Sequence, residues 1–170
     1  LLDTLRADDD VRVVVVIGAG RAFCAGADIS EFEKDTSDLR KQRARVKNIV
    51  KQIYEFEKPI IGAVNGVSAG DGSQWLLAFD LNVASEKARF AWPATRLGLL
   101  CPYGIIRLPA EVGRFRAKEV LMACKYLSAE EAYQWGLVTK VVPHDKLMDA
   151  AMELANEITN WDALSLKAIK

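Results

Sequence analysis

The sequence is poor in the residues on which metal, disulfide and nucleic-acid-binding proteins often depend. It has one histidine, His144, which argues against a histidine-based metal site. Its three cysteines, Cys24, Cys101 and Cys124, form no CxxC pair, and this odd number indicates reduced thiols in a cytoplasmic compartment. Lysine plus arginine and aspartate plus glutamate number 23 each, so the zero net charge does not support a nucleic-acid or membrane-surface partner.

Long apolar runs and a leader-type segment are also missing. Because no stretch is long and apolar enough to span a membrane and no signal peptide is visible, we expect a cytoplasmic protein that binds neither membranes nor nucleic acid. The chain begins at Leu1 without a methionine and closes at Lys170 within a helical pattern. We interpret these ends as those of an excerpt from a longer protein.

The chain does contain enough apolar sequence for one hydrophobic core. Its 170 residues are 51% hydrophobic, and no linker, repeat or low-complexity tract interrupts them, so we predict a single domain over residues 1–170. Apolar strands alternate with amphipathic helices, which predicts an α/β fold with right-handed crossovers. The predicted strands are Val11–Ile17, Pro59–Val64, Asp80–Ala84, Arg89–Ala91 and Leu137–Val142, and the main predicted helices are Asp38–Glu57, Gly72–Phe79, Ile105–Val112, Arg114–Cys124, Ala129–Trp135 and Asp145–Asn160.

Two glycine- and alanine-rich segments stand out from this alternation. The first, AGRAFCAGADISEF, covers Ala19–Phe32, and the second, KPIIGAVNGVSAGDGSQ, covers Lys58–Gln74. In each we expect an apolar strand, then a tight turn, then the start of a helix. Such turns expose backbone N–H groups with no side chain in the way. Two of them brought together would form an oxyanion hole, which indicates chemistry on a carbonyl group.

Four segments of the chain together resemble the enoyl-CoA hydratase/isomerase, or crotonase, family. They are VRVVVVIGAGRAFCAGADISEF, KPIIGAVNGVSAGDG, FDLNVASEKARFAWPATRLGLL and AEEAYQWGLVTKVVP, in that order. The resemblance implies a crotonase-like spiral of ββα units with C-terminal helices, whose N- and C-terminal parts lie outside this sequence. It also implies an acyl-CoA thioester as substrate, with coenzyme A present only as part of that substrate, and a homotrimer or dimer of trimers.

The same resemblance implies particular site residues. The oxyanion hole would be formed by the backbone N–H groups of Ala27 and Asp71, the second at the start of the helix predicted over Gly72–Phe79. The residues implied to bind the coenzyme A portion are Ala25, whose carbonyl would meet the adenine, with Asp28, Ile29 and Gly70. Asp28 could equally be a helix N-cap, and the glycines could simply satisfy tight turns.

The sequence also departs from the family at the positions that carry its acid–base chemistry. The two glutamates of the hydratases are replaced by Gln74 and Ala94, and neither replacement can exchange a proton near neutral pH. Asp71 stands where the family has glycine, so its carboxylate would lie close to a developing oxyanion. Tyr103, in the CPYG segment, is a candidate to orient a substrate carboxylate or donate a proton, or else a packing residue.

These departures leave several functions open. We predict a crotonase-family protein of the hydratase/isomerase type that stabilises an enolate, with Ala27, Asp71, Gln74 and Tyr103 as the catalytic candidates. Decarboxylation of a malonyl-type thioester is an alternative, because the departing CO₂ itself leaves the enolate behind. The chain could also be a hydratase or isomerase that uses Asp71 as a relocated base, a hydrolase, or a non-catalytic acyl-CoA-binding or scaffold protein.

Overall fold

The computed structural model of the chain describes residues 1–28 and 48–170. In this part the strands are β1 Val14–Ile17, β2 Ala22–Cys24, β3 Ile60–Val64, β4 Val67–Ala69, β5 Leu81–Ser85, β6 Arg89–Ala91, β7 Leu127–Ser128 and β8 Lys140–Val142. The helices are α1 Leu2–Ala7, α2 over 48–54, α3 Asp71–Leu76, α4 Pro102–Val112, α5 Arg114–Ala123, α6 Ala129–Gln134, α7 Leu147–Thr159 and α8 Ala163–Ile169. Two 3₁₀ turns lie at Pro93–Leu97 and His144–Lys146.

The strands form two four-stranded sheets rather than one. The first has the order β1-β3-β5-β8 and is parallel throughout, and the second has the order β2-β4-β6-β7, in which only β7 is antiparallel to its neighbour. The first three pairs of consecutive strands each give one strand to each sheet. The predicted α/β class is therefore confirmed, and the repeating pair of strands is the unit from which the spiral is built.

Both faces of the central strand β3 are buried, which explains why it is a continuous apolar run. On β3, Ile60 and Val64 belong to the larger core between the sheets and helices, whereas Ile61 and Ala63 face a second core formed with α7. All four side chains are fully buried. Alternate residues of a strand point to opposite faces, so a strand that is covered on both sides has no polar face to show.

Several predicted boundaries were wrong in ways that affect the site. The expected strand–turn–helix order omits two three-residue strands, β2 and β4, which are too short to show a periodic pattern. Helix α3 is only six residues long and covers Asp71–Leu76 rather than the predicted Gly72–Phe79, so Asp71 is its first residue and its dipole is small. Half of the helix predicted over Asp38–Glu57 lies outside the described residues, and its described part is helical over 48–54.

One buried side chain ties the loop after β1 to the loop after β3. Asn65 is 5% exposed, and its Oδ1 accepts a hydrogen bond from the N–H of Gly18 at 3.1 Å. Its Nδ2 donates to the carbonyls of Gly18, Gly20 and Ala22 at 3.1, 2.8 and 3.3 Å. The side-chain amide of Asn65 thus supplies hydrogen bonds at the point where the chain passes from one sheet to the other and strand pairing does not supply them.

We predict that Asn65→Ala lowers the free energy of unfolding by about 2–3 kcal/mol, because it leaves a buried N–H and the facing carbonyls without their partner. Urea denaturation followed by circular dichroism measures this. Asn156→Ala is the matched control, because Asn156 is exposed on α7 and its loss should change stability by less than about 0.5 kcal/mol. Equal unfolding free energies for the two variants would contradict the role given to Asn65.

Candidate functional site

The two glycine-rich turns meet because their preceding strands are neighbours. β2 and β4 run parallel, with Ala22 beside Val67 and Cys24 beside Ser68. Parallel strands end at the same edge of a sheet, so the turn over 25–28 and the turn at Gly70 leave that edge side by side. The two turns are far apart along the chain, and the second sheet brings them together.

Gly26 makes the closest approach between these turns. Its φ is +96°, and a Cβ at this position would lie 2.9 Å from the carbonyl oxygen of Ala69 and 3.5 Å from the backbone nitrogen of Asp71. Gly70, with φ +55°, lies opposite, and a Cβ there would be 3.8 Å from the Cα of Gly26. Any side chain on Gly26 would therefore push the turns apart.

The backbone amides of the second turn have distinct roles. The N–H of Gly70 donates to the carbonyl of Ala91 at the end of β6, at 3.0 Å, so the pairing of β4 with β6 already uses this amide. The next amide belongs to Asp71, the first residue of α3, where a helix makes no internal bond to the N–H. The Asp71 nitrogen lies 3.5 Å from the Cβ position of Gly26, the residue that precedes Ala27, so the two turns that carry the predicted donors are in contact.

Helix α3 is fixed against β2 by a second glycine contact. A Cβ on Gly72 would collide with the carbonyl of Cys24 and would lie 2.7 Å from the Cβ of Cys24. On the same helix, the Ser73 hydroxyl donates to the carbonyl of Ser68 at 2.7 Å, and both serines are fully buried. These contacts hold the start of α3, and with it the Asp71 amide, against the first turn.

The side chains of Asp71 and Gln74 form a hydrogen-bonded pair at this edge. The Nε2 of Gln74 donates to Oδ1 of Asp71 at 2.8 Å, and the Oε1 of Gln74 accepts from the backbone N–H of Tyr103 at 3.0 Å. Gln74 is 3% exposed and Asp71 is half-buried. Burial raises the pKa of the Asp71 carboxyl, and the bond from Gln74 partly offsets that rise.

The start of helix α4 brings Tyr103, a sequence candidate, and Cys101, which was not one, to the same place. Burial, with a smaller effect of the nearby Asp71 charge, raises the pKa of the Cys101 thiol to about 11, although a hydrogen bond with the backbone of Ala94 lowers it in part. The ring of Tyr103 packs edge-on against Tyr54, with centroids 6.3 Å apart, and burial raises its pKa as well. Gln74 thus contacts Asp71 directly, whereas the backbone of Ala94 contacts Cys101, whose thiol lies near the Asp71 charge.

Three of the four predicted coenzyme A residues lie on the two turns. Ala25 and Asp28 are exposed on the first turn, and Gly70 is half-buried with its amide bonded to β6. Ile29 falls outside the described residues. The bond from Tyr103 to Gln74 and the position of Cys101 were missed, although Pro102 is a typical first residue of a helix and could have indicated that α4 begins beside the site.

Within residues 1–28 and 48–170, no helix combines the length and the apolar character needed to cross a bilayer.

Comparison with known proteins gives consistent results in sequence and in structure. The sequence profile of the enoyl-CoA hydratase/isomerase family matches residues 1–170. The chain is 35% identical over 175 residues to the 1,2-epoxyphenylacetyl-CoA isomerase of Escherichia coli strain K12, covering 99% of this chain and 67% of that protein. It is 36% identical over 173 residues to the short-chain-enoyl-CoA hydratase of Clostridium acetobutylicum, covering 100% of this chain and 66% of that protein.

The fold agrees with a solved structure as well. The chain superposes on the enoyl-CoA hydratase subunit I of Geobacillus kaustophilus with a TM-score of 0.92 at 36% identity, covering 99% of this chain and 65% of that one. The predicted crotonase-like architecture is therefore confirmed. The chain spans about two thirds of the length of the relatives that it matches.

We predict that Gly26→Ala is more destabilising than Gly136→Ala, although both glycines have a positive φ. A Cβ at Gly136 meets nothing within 4 Å, so that variant carries only the conformational cost, about 1–2 kcal/mol. Gly26→Ala adds the collision with Ala69, which should cost about 1–3 kcal/mol more. Unfolding in urea compares the two, and equal losses would show that the turns are not in close contact.

Proposed function

Because this chain belongs to the enoyl-CoA hydratase/isomerase family, we propose that it acts on an acyl-CoA thioester by holding the thioester oxygen as an enolate forms. The N–H groups of Ala27 and Asp71 would donate to that oxygen. The observation that carries the proposal is the contact between the two turns, where the Asp71 nitrogen lies 3.5 Å from the Cβ position of Gly26. Donors fixed before the reaction need no reorganisation as charge develops, which is the source of their catalytic effect.

The coenzyme A portion would lie along the exposed first turn. Ala25 and Asp28 border the site on the solvent side, which suits a large polar group that stays outside while the acyl group enters. The curated relatives support this substrate class, since their names describe acyl-CoA isomerisation and enoyl-CoA hydration. A cytoplasmic location and assembly as a trimer or dimer of trimers stay predictions, the latter supported by exposed apolar side chains on α4 and α5 such as Ile106 and Phe115.

The charge at Asp71 favours neutral acyl groups over malonyl-type ones. A substrate carboxylate would have to approach a half-buried residue of the same sign, and like charges in a partly desolvated site repel. Tyr103 still borders the site through its backbone bond to Gln74, so decarboxylation is the second candidate. Release of CO₂ from malonyl-CoA, lost in Tyr103→Phe, would identify that reaction.

We predict that the Asp71 amide can be tested without changing the fold. Asp71→Gly removes the side chain and keeps the N–H, whereas Asp71→Pro also removes the N–H at the first helical position, where proline is well tolerated. Acetoacetyl-CoA is the probe, because its enolate absorbs in the near ultraviolet. The proline variant should bind this enolate about 100-fold more weakly than the glycine variant, since it lacks one donor.

Circular dichroism and thermal unfolding verify that both position-71 variants are folded. Wild-type protein that binds acetoacetyl-CoA without the enolate absorbance would contradict enolate stabilisation. Equal enolate affinity in the two variants would contradict the assignment of the Asp71 amide as a donor.

Restoring the absent carboxylates should convert the site toward hydration. We predict that the double variant Gln74→Glu with Ala94→Glu hydrates crotonyl-CoA at least about 100-fold faster than wild type, because hydration needs one group to activate water and one to protonate carbon. The control, Gln52→Glu with Ala168→Glu, adds the same charges at exposed positions. The loss of crotonyl-CoA absorbance measures the rate. No increase over the control would show that positions 74 and 94 do not face the substrate.

A further inference from the structure

A charged side chain on a turn that hosts an oxyanion needs an explanation. Asp71 supplies one of the two proposed donor amides, yet its own carboxylate carries the charge that such a site should repel. The side chain does not turn away into solvent, because it is half-buried and bonded to Gln74 on the next turn of α3. The structure therefore holds this carboxylate beside the proposed reaction site.

The orientation of Gln74 is determined by its surroundings. The backbone N–H of Tyr103 can only donate, so the amide oxygen of Gln74 must face it, which leaves the NH₂ group to face Asp71. Because an NH₂ group can only donate, Gln74 stabilises the ionised form of Asp71. Gln74 is buried and bonded at both ends, so it holds the Asp71 carboxylate in one position.

The charge conflict disappears if Asp71 itself takes the proton. As the bond between the α-carbon and its hydrogen breaks, the proton moves to a carboxylate oxygen and the electron pair of that bond forms the enolate. Negative charge then leaves Asp71 as it appears on the thioester oxygen, so the site never holds both charges. Returning the proton to the α-carbon gives exchange, and returning it to the γ-carbon of a 3-enoyl thioester moves the double bond.

We infer that the Asp71 carboxylate is the base that removes the α-proton of the acyl group, and that Gln74 is the residue that positions it. This inference rests on the proposed function, because it takes the thioester oxygen to lie against the Ala27 and Asp71 amides. The inference also accounts for the glutamine at position 74. The carboxylate lies one helical turn earlier, at Asp71, and the amide of Gln74 hydrogen-bonds to it.

Among the groups around the site, Asp71 is the carboxyl whose pKa burial raises. Cys101 stays a neutral thiol because burial raises its pKa to about 11, and burial likewise raises the pKa of Tyr103. Cys24 faces the start of α3 from β2, and Asp28 lies exposed on the first turn. The exchange rate should fall at low pH as Asp71 takes up a proton, so this acidic limb of the pH profile should report the ionisation of Asp71.

The test is deuterium uptake at the α-carbon of but-3-enoyl-CoA in D₂O, measured by mass spectrometry between pH 4 and pH 9. Asp71→Asn and Asp71→Gly should lose at least about 100-fold in exchange rate, because neither carries a base. Both should still bind the acetoacetyl-CoA enolate at least as tightly as wild type, since the amide stays and the like charge is gone. Asp145→Asn, at an exposed position, is the control and should exchange at the wild-type rate.

Gln74→Met tests the positioning role. Loss of the donor removes an interaction that favours the ionised carboxylate, so the pKa of Asp71 should rise and the acidic limb should move to higher pH. An unshifted limb would overturn the role of Gln74. Wild-type exchange rates in both position-71 variants would overturn the inference for Asp71 while leaving the proposed function intact, whereas absence of enolate binding by wild-type protein would overturn both.

Discussion

The contact between the turns at Gly26 and Gly70 is the constraint on which the site depends. No side chain fits between them, because even one methyl group on Gly26 would lie 2.9 Å from the Ala69 carbonyl oxygen. The contact exists because β2 and β4 are adjacent in the second sheet. It is maintained from outside by Asn65, which fixes the loop entering β2, and by Gly72, which lets α3 rest on Cys24.

In the proposed function the anion site is made from backbone amides, and the acid–base chemistry depends separately on side chains. Backbone amides are present whatever residue other than proline occupies position 71, so the position can carry a functional side chain without losing its donor. In the proposal Asp71 has both roles, and its hydrogen bonds through Gln74 to Tyr103 link the carboxylate to α4. A change at the start of α4 would therefore alter proton transfer while leaving the two turns in contact.

Much of the fold could be predicted from the sequence because strands that are buried on both faces are continuous apolar runs. The runs that became β1, β3 and β5 are largely apolar, and α7 has a regular apolar stripe. The strands β2, β4 and β7 could not be predicted in this way, since two or three residues show no period and their pairing is set by distant segments. The second sheet, which brings the turns together, consists mainly of such strands.

For the site, the sequence indicated which residues matter but not what their side chains do. The unusual residues at positions 71, 74 and 94 were visible as departures from a family pattern, and the charge at Asp71 was recognised as a conflict. Whether that carboxylate points into solvent or to Gln74 depends on the position of α4, which begins at Pro102, three residues before the predicted start at Ile105. The bond from Tyr103 that orients Gln74 follows from that earlier start.

A crystal structure of the protein with a bound acyl-CoA thioester would test the central claim most directly. The account predicts that the thioester oxygen lies about 2.7–3.1 Å from the backbone nitrogens of both Ala27 and Asp71. A thioester oxygen bound to neither nitrogen, or an acyl group seated elsewhere on the molecule, would contradict it.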